Sequence, residues 1–273
     1  MGAETIASGQ FSTAMGSTSE ASGIASTAIG DQVDATGNHS TALGFYTTAS
    51  GHSSTALGFG STASGKYGAT ALGSHTIARG HTSTAIGNYT TAEDIYSFII
   101  GVHNKTDETP NPENFSFQNT AFVIGNGGHD SEGNYVGTSD TFSNAFEVLF
   151  DGTTTIAGDL NINSDARLKA NIISLGATLS KLLQIDGKTY TMKKDANHKK
   201  KIGLLAQDIE KVFPELVTET NDIKSVNYQG LVPVLINAMK EQQDEIDSYK
   251  TELSNQRKEI DELKTMVKQL MNK

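Results

Sequence analysis

The clearest pattern of apolar and polar positions lies in the first 94 residues, where two three-residue motifs alternate. One has the form Ala–polar–Gly, with copies at Ala7-Ser8-Gly9, Ala21-Ser22-Gly23, Ala35-Thr36-Gly37, Ala49-Ser50-Gly51, Ala63-Ser64-Gly65 and Ala78-Arg79-Gly80. The other has the form Ala–apolar–Gly, with copies at Ala14-Met15-Gly16, Ala28-Ile29-Gly30, Ala42-Leu43-Gly44, Ala56-Leu57-Gly58, Ala71-Leu72-Gly73 and Ala85-Ile86-Gly87. Each motif recurs every 14 residues apart from one step of 15, and the two are offset by 7. This self-similarity predicts a repeat architecture.

A 14-residue period is too short for a helical hairpin but accommodates one coil of two short strands and two tight turns. Stacked coils form a solenoid in which each repeat contacts only its neighbours. Glycine supplies turn conformations that a Cβ disfavours, and the Ser and Thr residues before each Ala favour extended backbone. We therefore predict a β-solenoid over residues 1–94.

The alternation of side chains along a strand predicts which residues fill the coil. Ala and Gly share one face, and Ala suits a narrow interior. The apolar residues between them then form an outer stripe: Met15, Ile29, Leu43, Leu57, Leu72 and Ile86. The polar counterpart outside is formed by Ser8, Ser22, Thr36, Ser50 and Ser64. An exposed apolar stripe needs a partner; the alternative is the inverse packing, with Leu and Ile inside.

Residues 95–163 depart from the repeat. Apolar and alternating segments predict strands at 97–101, 121–125, 143–152, 153–156 and 159–162. Stretches rich in Asn, Asp, Gly and Ser predict loops at 103–116 and 126–141. Asp130, Asp140 and Asp151 lack the spacing of a calcium-binding loop, so we interpret them as solvated charges and expect no metal site.

The last third changes character. Ser164 before Asp165 is a typical helix N-cap, with Asp165 suited to the positive helix end. The basic stretch 188–201 predicts a hairpin with strands Lys188–Lys193 and Lys201–Leu205, and His198 in a solvated turn. Core positions from Val232 to Leu270 keep unbroken 4-3 spacing and are apolar except for Gln242 and Gln256, which predicts a coiled coil over 229–273. Its mixed core leaves the number of chains open.

Charge is unevenly spread over the 273 residues, whose net charge is −10. Residues 1–94 hold 2 basic and 6 acidic side chains, residues 95–163 hold 1 and 9, and residues 164–273 hold 18 and 16. An acidic shaft excludes nucleic-acid binding, because phosphate contacts need clustered Lys and Arg. The absence of Cys excludes disulfides and thiolate metal sites. No apolar run approaches the ~20 residues of a membrane span, and the first residues do not resemble a signal peptide.

The alternating motifs of residues 7–94 resemble the head repeats of YadA-type trimeric autotransporter adhesins. The resemblance implies a left-handed parallel β-roll with three chains side by side. Whether such a head is a structural spacer or binds a receptor stays open at this point. A chain that ends in a coiled coil at Lys273, instead of the membrane barrel of those adhesins, favours a phage tail fibre or a fibre of a phage-like contractile particle.

Three blocks in order, 164–172, 203–217 and 226–231, resemble the endosialidase-type intramolecular chaperone found at the end of phage tail spikes and fibres. This resemblance implies trimerisation, chaperoning of the upstream β-fibre and autoproteolysis just before the motif serine. Carried over, the cleaved bond is Asn163–Ser164, with Ser164 as nucleophile and Lys169 as base. A serine needs such a base to become nucleophilic, and lysine serves once burial or a nearby cation depresses its pKa. A purely capping Ser164 in an uncleaved chain is the alternative.

Together these observations predict a mainly β, fibrous homotrimer. Its domains are the head β-roll at 1–94, a β-rich neck at 95–163, an α+β chaperone and autoprotease at 164–228 and a coiled-coil helix at 229–273. We expect a tail-fibre or adhesin-type protein of a virion or particle tail, acting in host attachment and otherwise without enzymatic activity. Expected partners are two further copies, a host-surface glycan or protein, and the baseplate. No cofactor, nucleic acid or membrane insertion is expected, and a cell-surface adhesin is the alternative.

Overall fold

The computed structural model describes residues 2–130, 132–138, 141–193, 195 and 198–271. The chain divides into two compact units, Met1–Ile162 and Asn163–Lys273. Among the described residues, no helix has the length and apolar character that a membrane crossing requires.

The first unit is a parallel β-roll in which long and short strands alternate. The strands of its coils are β1 Gly2–Ala3, β2 Ile6–Ala7, β3 Thr13–Ser17, β4 Glu20–Ala21, β5 Thr27–Asp31, β6 Asp34–Ala35, β7 Thr41–Phe45, β8 Thr48–Ala49, β9 Thr55–Phe59, β10 Thr62–Ala63, β11 Thr70–Ser74, β12 Ile77–Ala78, β13 Thr84–Asn88 and β14 Thr91–Ala92. Odd-numbered strands share one sheet and even-numbered strands a second. Strand residues pair with those 14 positions on, as Ala28 does with Ala42, and 15 positions on across the longer step, as Ala56 does with Ala71, so the predicted solenoid is confirmed.

The interior of the roll is filled by small side chains. Every motif Ala from Ala21 to Ala92 is fully buried, whereas Met15 remains 44% exposed outside. The predicted packing is therefore confirmed, and the inverse packing is wrong. The sequence reasoning missed that hydroxyl side chains share this interior: Ser19, Ser26, Ser40, Thr47, Ser54, Ser61, Thr76, Ser83 and Thr90.

The motif glycines matter chiefly because neighbouring coils approach closely. A Cβ on Gly37 would lie 2.0 Å from the carbonyl oxygen of Gly51 in the next coil, although Gly37 does not have a positive φ. At Gly44, both the approach and a φ of +128° exclude a side chain. The repeat therefore preserves glycine where the backbones of successive coils meet.

The predicted role of glycine holds for the second motif, where Gly16, Gly30, Gly44, Gly58, Gly73 and Gly87 have φ between +115° and +144°. The turns in addition use left-handed backbone, mostly at residues other than glycine. The roll residues with φ near +55° are Glu4, Phe11, Thr18, Ala25, Gln32, His39, Tyr46, Ser53, Gly60, Gly68, His75, Thr82, Tyr89, Tyr96 and His103. Each non-glycine member of the series costs about 1 kcal/mol. Stacked rings offset part of this cost, since the ring centroids of His75 and Tyr89 are 4.4 Å apart and those of Tyr89 and His103 are 4.6 Å apart.

The odd-numbered sheet continues past residue 94 through β15 Phe98–Val102, β16 Thr120–Asn126, β17 Asn144–Leu149 and β18 Thr154–Ile156. Strand β15 keeps the repeat register and pairs Ile99 with Ala85, and β16 in turn pairs Val123 with Ile99. The second sheet ends at β14, so the larger Ile99 and Val123 close the interior and cap the roll. The predicted strand at 159–162 is wrong: those residues pair with no strand of the described chain and are exposed.

The second unit is α+β. Its elements are α1 Leu179–Leu182, β19 Lys188–Tyr190, β20 Lys201–Gly203, α2 Ala206–Val212, β21 Val217–Thr220, β22 Ile223–Val226 and α3 Leu231–Met271, with short 3-10 helices at Ala166–Leu168, Pro214–Leu216 and Tyr228–Gly230. Ile209, Phe213 and Val234 form its core. The predicted hairpin is present with shorter strands. Lys194, Ala196 and Asn197 in its turn, and Asn272 and Lys273 at the predicted end of the coiled coil, lie outside the described residues.

Candidate functional site

The structure brings together the two residues that the sequence singled out for chemistry. Lys169 Nζ donates a hydrogen bond of 2.8 Å to Ser164 Oγ. Both side chains lie on the solvent-exposed segment at the start of the second unit, directly after Asn163. A separation of 2.6–3.2 Å is within reach for proton transfer between a hydroxyl and a base.

One turn of 3-10 helix, Ala166–Leu168, holds the two side chains in this geometry. Its N-cap is Asp165, whose Oδ1 accepts the backbone N–H of Arg167 at 2.8 Å. Lys169 N–H donates to the carbonyl of Ala166 at 3.1 Å and closes the turn. The alternative role predicted for Ser164, a helix N-cap, is therefore wrong, because Asp165 takes that position and leaves Ser164 Oγ for Lys169.

Exposed apolar side chains lie within and after the dyad. Leu168 is exposed in the 3-10 turn, and Ile172, Ile173 and Leu175 extend into solvent from the segment without regular structure that follows Lys169, where Ile173 is 87% exposed. Exposed apolar groups in this number are typical of a surface that takes part in an interaction.

The next segment is anchored by an interaction that sequence reasoning missed. Glu241 on α3 accepts the backbone N–H groups of Thr178 and Leu179 at 2.5 and 3.2 Å, at the N-terminus of α1. These hydrogen bonds lower the pKa of Glu241, and the one from the N–H of Thr178 is the largest cause. Thr178 Oγ1 donates to the carbonyl of Val234 at 3.0 Å. The exposed segment 164–177 is therefore fixed at its far end on the long helix.

The two other motif blocks of this unit meet each other. Leu204 N–H donates to Tyr228 Oη at 2.9 Å, and Asn227 N–H donates to the carbonyl of Leu216 at 2.8 Å. Val234 packs with Ile209 in the core. The blocks at 203–217 and 226–231 thus form one folded support for the start of α3.

A cluster of carboxyl groups at the capped end of the roll was also missed. Buried Asp94 accepts the backbone N–H of Asn111 at 2.6 Å and that of Thr120 at 2.8 Å, and so holds the loop between β15 and β16. Asp107 Oδ2 accepts Thr120 Oγ1 at 2.9 Å. Partial burial, together with the neighbouring carboxyl groups of Asp94 and Glu147, raises the pKa of Asp107 to about 6. A single sequence with isolated Asp residues 13 apart carries no signal for this pairing.

The aspartates considered for calcium have local roles. Asp130 accepts the backbone N–H groups of Glu132 and Asn134, and the Asn134 bonds are the main cause of its lowered pKa. Asp151 Oδ1 accepts the N–H of Thr153 at 2.7 Å in a turn. Asp140 lies outside the described residues. Within the part of the chain that the structure describes, no three His, Asp or Glu residues are grouped to hold a metal ion.

Comparison with protein-family models finds two matches. Residues 164–218 match the family described as chaperone of endosialidase. The YadA head domain repeat matches in overlapping copies at 7–32, 35–61, 49–76, 65–90 and 78–98. Both resemblances expected from the sequence are confirmed.

Curated relatives are phage proteins named long tail fiber protein Gp37. The chain is 34% identical over 120 residues to that of Salmonella phage S16, 33% over 122 residues to that of Enterobacteria phage M1 and 32% over 120 residues to that of Enterobacteria phage Ox2. These alignments cover 40, 40 and 39% of this chain. They span 15% of the S16 protein and about half of the other two, 49 and 48%. The relatives point to the virion tail as the location of this protein.

Proposed function

We propose that three copies of this chain form a host-attachment fibre of a phage or phage-like contractile particle, folded by a C-terminal intramolecular chaperone that cleaves itself at Asn163–Ser164. The observation that carries the proposal is that one chain joins a β-roll with an apolar outer stripe to a unit with an uncovered heptad seam. On α3, Leu253, Ile260 and Leu263 are all about half exposed. Three chains related by one axis would cover both surfaces.

Light scattering in native buffer tests the assembly. The expected mass is three times the 29.0 kDa chain mass, before cleavage. A monomer would contradict the fibre proposal whatever the fate of the Asn163–Ser164 bond.

The cleavage follows from the dyad as a single-turnover reaction. Lys169 Nζ, in its neutral form, takes the proton of Ser164 Oγ, which attacks the carbonyl carbon of Asn163. The Asn163–Ser164 C–N bond breaks as Lys169 returns the proton to the Ser164 nitrogen, which leaves an ester between Asn163 and Ser164 Oγ. Water then hydrolyses the ester to a free carboxylate and a free hydroxyl. The 2.8 Å hydrogen bond between Lys169 and Ser164 supports this assignment.

Mass spectrometry of the purified protein tests the cleavage. The expected pieces are residues 1–163 and 164–273, and Ser164→Ala and Lys169→Ala should each leave the chain whole. Ser174→Ala, which alters an exposed serine of the same segment, is the matched control and should cleave like the natural chain. Cleavage that persists in Ser164→Ala would exclude this serine as nucleophile.

The attached partners follow from the fibre proposal. The particle baseplate would hold one end of the fibre, and a glycan or protein of the host surface would bind it. In the simpler form of the proposal, the fibre is a purely structural shaft that binds no receptor. The YadA head matches favour a second candidate, a cell-surface trimeric adhesin. The neighbourhood of the parent gene separates the candidates, because tail and baseplate genes belong to a particle.

A further inference from the structure

The dyad lies on an exposed segment, so its geometry must be held by local interactions. Ser164 and Lys169 are five residues apart, and their side chains meet only because the intervening backbone makes one tight turn. An exposed lysine has many rotamers available, and fixing one of them costs conformational entropy. The residues that shape the turn therefore decide how often Nζ lies on Oγ.

Asp165 organises this turn through its carboxylate. Oδ1 accepts the backbone N–H of Arg167 at 2.8 Å and its Nε at 3.0 Å, while Oδ2 accepts Nη2 at 2.6 Å. The guanidinium thus binds in the paired, fork-like manner typical of Arg and carboxylate. The side-chain hydrogen bonds from Arg167 are the largest cause of the lowered pKa of Asp165.

The same pairing keeps Asp165 away from the base. Among the ion pairs of the described residues, Asp165 pairs with Arg167 and none joins it to Lys169. A carboxylate released by Arg167 would be free to pair with the Lys169 ammonium group, which would draw Lys169 from Ser164 Oγ and oppose its action as a base. Arg167 occupies both oxygens of Asp165, although the Arg167 side chain is itself 88% exposed and buries nothing.

We propose that Asp165 and Arg167 act as a unit that positions Lys169 on Ser164 and withholds the Asp165 charge from the lysine. This inference deepens the proposed autoproteolysis and rests on it. Neither residue touches the bond that breaks. Both act through the turn and the electrostatics of the dyad and are therefore positioning residues.

Cleavage rates measured against pH test the role of the Asp165–Arg167 pair. Asp165→Ala removes the cap and should slow cleavage at least tenfold, while Asp165→Asn keeps an oxygen acceptor and should recover most of the rate. Arg167→Gln releases the carboxylate towards Lys169, so its rate profile should shift to higher pH. The double variant Asp165→Asn, Arg167→Gln should return the profile to its original position, which a merely structural role would not do. Asp261→Asn breaks the exposed Asp261–Lys264 pair on α3 and is the matched control.

A second measurement does not depend on cleavage. The chain has no cysteine, so Ser164→Cys introduces a single thiol whose alkylation by iodoacetamide, followed by mass spectrometry on the uncut chain, gives its pKa. Lys169 beside it should hold that pKa below the usual value of about 8.5. Adding Asp165→Ala should raise it towards about 8.5, as should adding Lys169→Met. Loss of the negative charge of Asp165 would by itself lower the thiol pKa. A rise in the thiol pKa would therefore show that Lys169 has moved away from the thiol.

The two measurements separate the two ideas. A thiol pKa that is unchanged or lowered by Asp165→Ala overturns the positioning role, as does a cleaving Asp165→Ala chain with the natural rate and pH profile. If the thiol pKa rises as expected but the natural chain never cleaves, the positioning role of Asp165 and Arg167 is supported and the proposed autoproteolysis is refuted.

Discussion

The β-roll and the second unit differ in how far a single chain buries its own apolar groups. In the roll, each coil buries Ala and hydroxyl side chains inside a single chain, and its backbone groups pair with the coils on either side. In the second unit, α3 is 41 residues long, yet Leu231, Val234 and Ala238 are its buried residues within the described chain. The roll closes its interior alone, whereas the long helix leaves most of its seam open.

This difference teaches where the chains must meet first. A parallel roll gains its pairings between residues 14 apart one coil at a time, and nearly identical coils discriminate weakly between registers. In the proposed trimer, a heptad seam would instead bring three helices together at high local concentration and align them. We therefore expect the second unit to direct assembly of the first.

The largest expected effect comes from deleting the second unit from the gene, so that the chain is synthesised without it. A shortened chain that ends at Asn163 should give aggregated or monomeric roll, because nothing then aligns the three chains. Removing residues 164–273 by a protease after assembly should leave the roll trimeric. Size-exclusion chromatography with light scattering measures both. Soluble trimer from the shortened chain would contradict the contrast between the two units.

An intermediate effect should follow from adding one methyl group where coils approach. Gly37→Ala places a Cβ 2.0 Å from the Gly51 carbonyl oxygen, so the two backbones must separate. We expect a loss of about 3 kcal/mol or more in unfolding free energy, measured by denaturant titration. Thr36→Ala, at an exposed neighbouring position, is the control and should change stability by less than about 0.5 kcal/mol. Equal stability of the two variants would show that the coils are not closely stacked there.

The smallest effect concerns pH at the capped end of the roll. Asp107 has a folded-state pKa raised from 3.8 to about 6, so the folded chain binds more protons than the unfolded chain between these values. Its contribution to stability is therefore present below pH 3.8 and is lost as pH rises to about 6. Asp107→Asn should reduce this loss by about 1 kcal/mol at most, after allowance for solvent screening.

Thermal unfolding of both proteins between pH 4 and pH 7 measures that difference. Glu108→Gln, which changes the neighbouring exposed carboxylate, is the control. Identical pH slopes for the natural chain and Asp107→Asn would contradict the raised pKa of Asp107 beside the buried Asp94.

Several features follow from the sequence alone because they depend on local periodicity. The 14-residue recurrence of Ala42 and Ala56 places them on one face of consecutive strands, and strand geometry then directs Leu43 outward. Unbroken 4-3 spacing likewise determines a long helix with one apolar seam. The pairing of Ser164 with Lys169 was instead predicted from the resemblance to a known family, since five residues of separation do not by themselves imply contact.

Other features were decided only by the tertiary structure. Ile99 and Val123 take the place of an interior Ala because the second sheet stops at Ala92 and leaves room for them, which no local pattern encodes. The turns accept left-handed residues such as His75 because stacking on the next coil offsets their strain. Asp165, rather than Ser164, caps the helix because its carboxylate reaches Arg167, and this contact in turn leaves Ser164 to Lys169. Each outcome depends on which atoms lie across a coil or a turn, whereas the sequence pattern determines only which face a side chain takes.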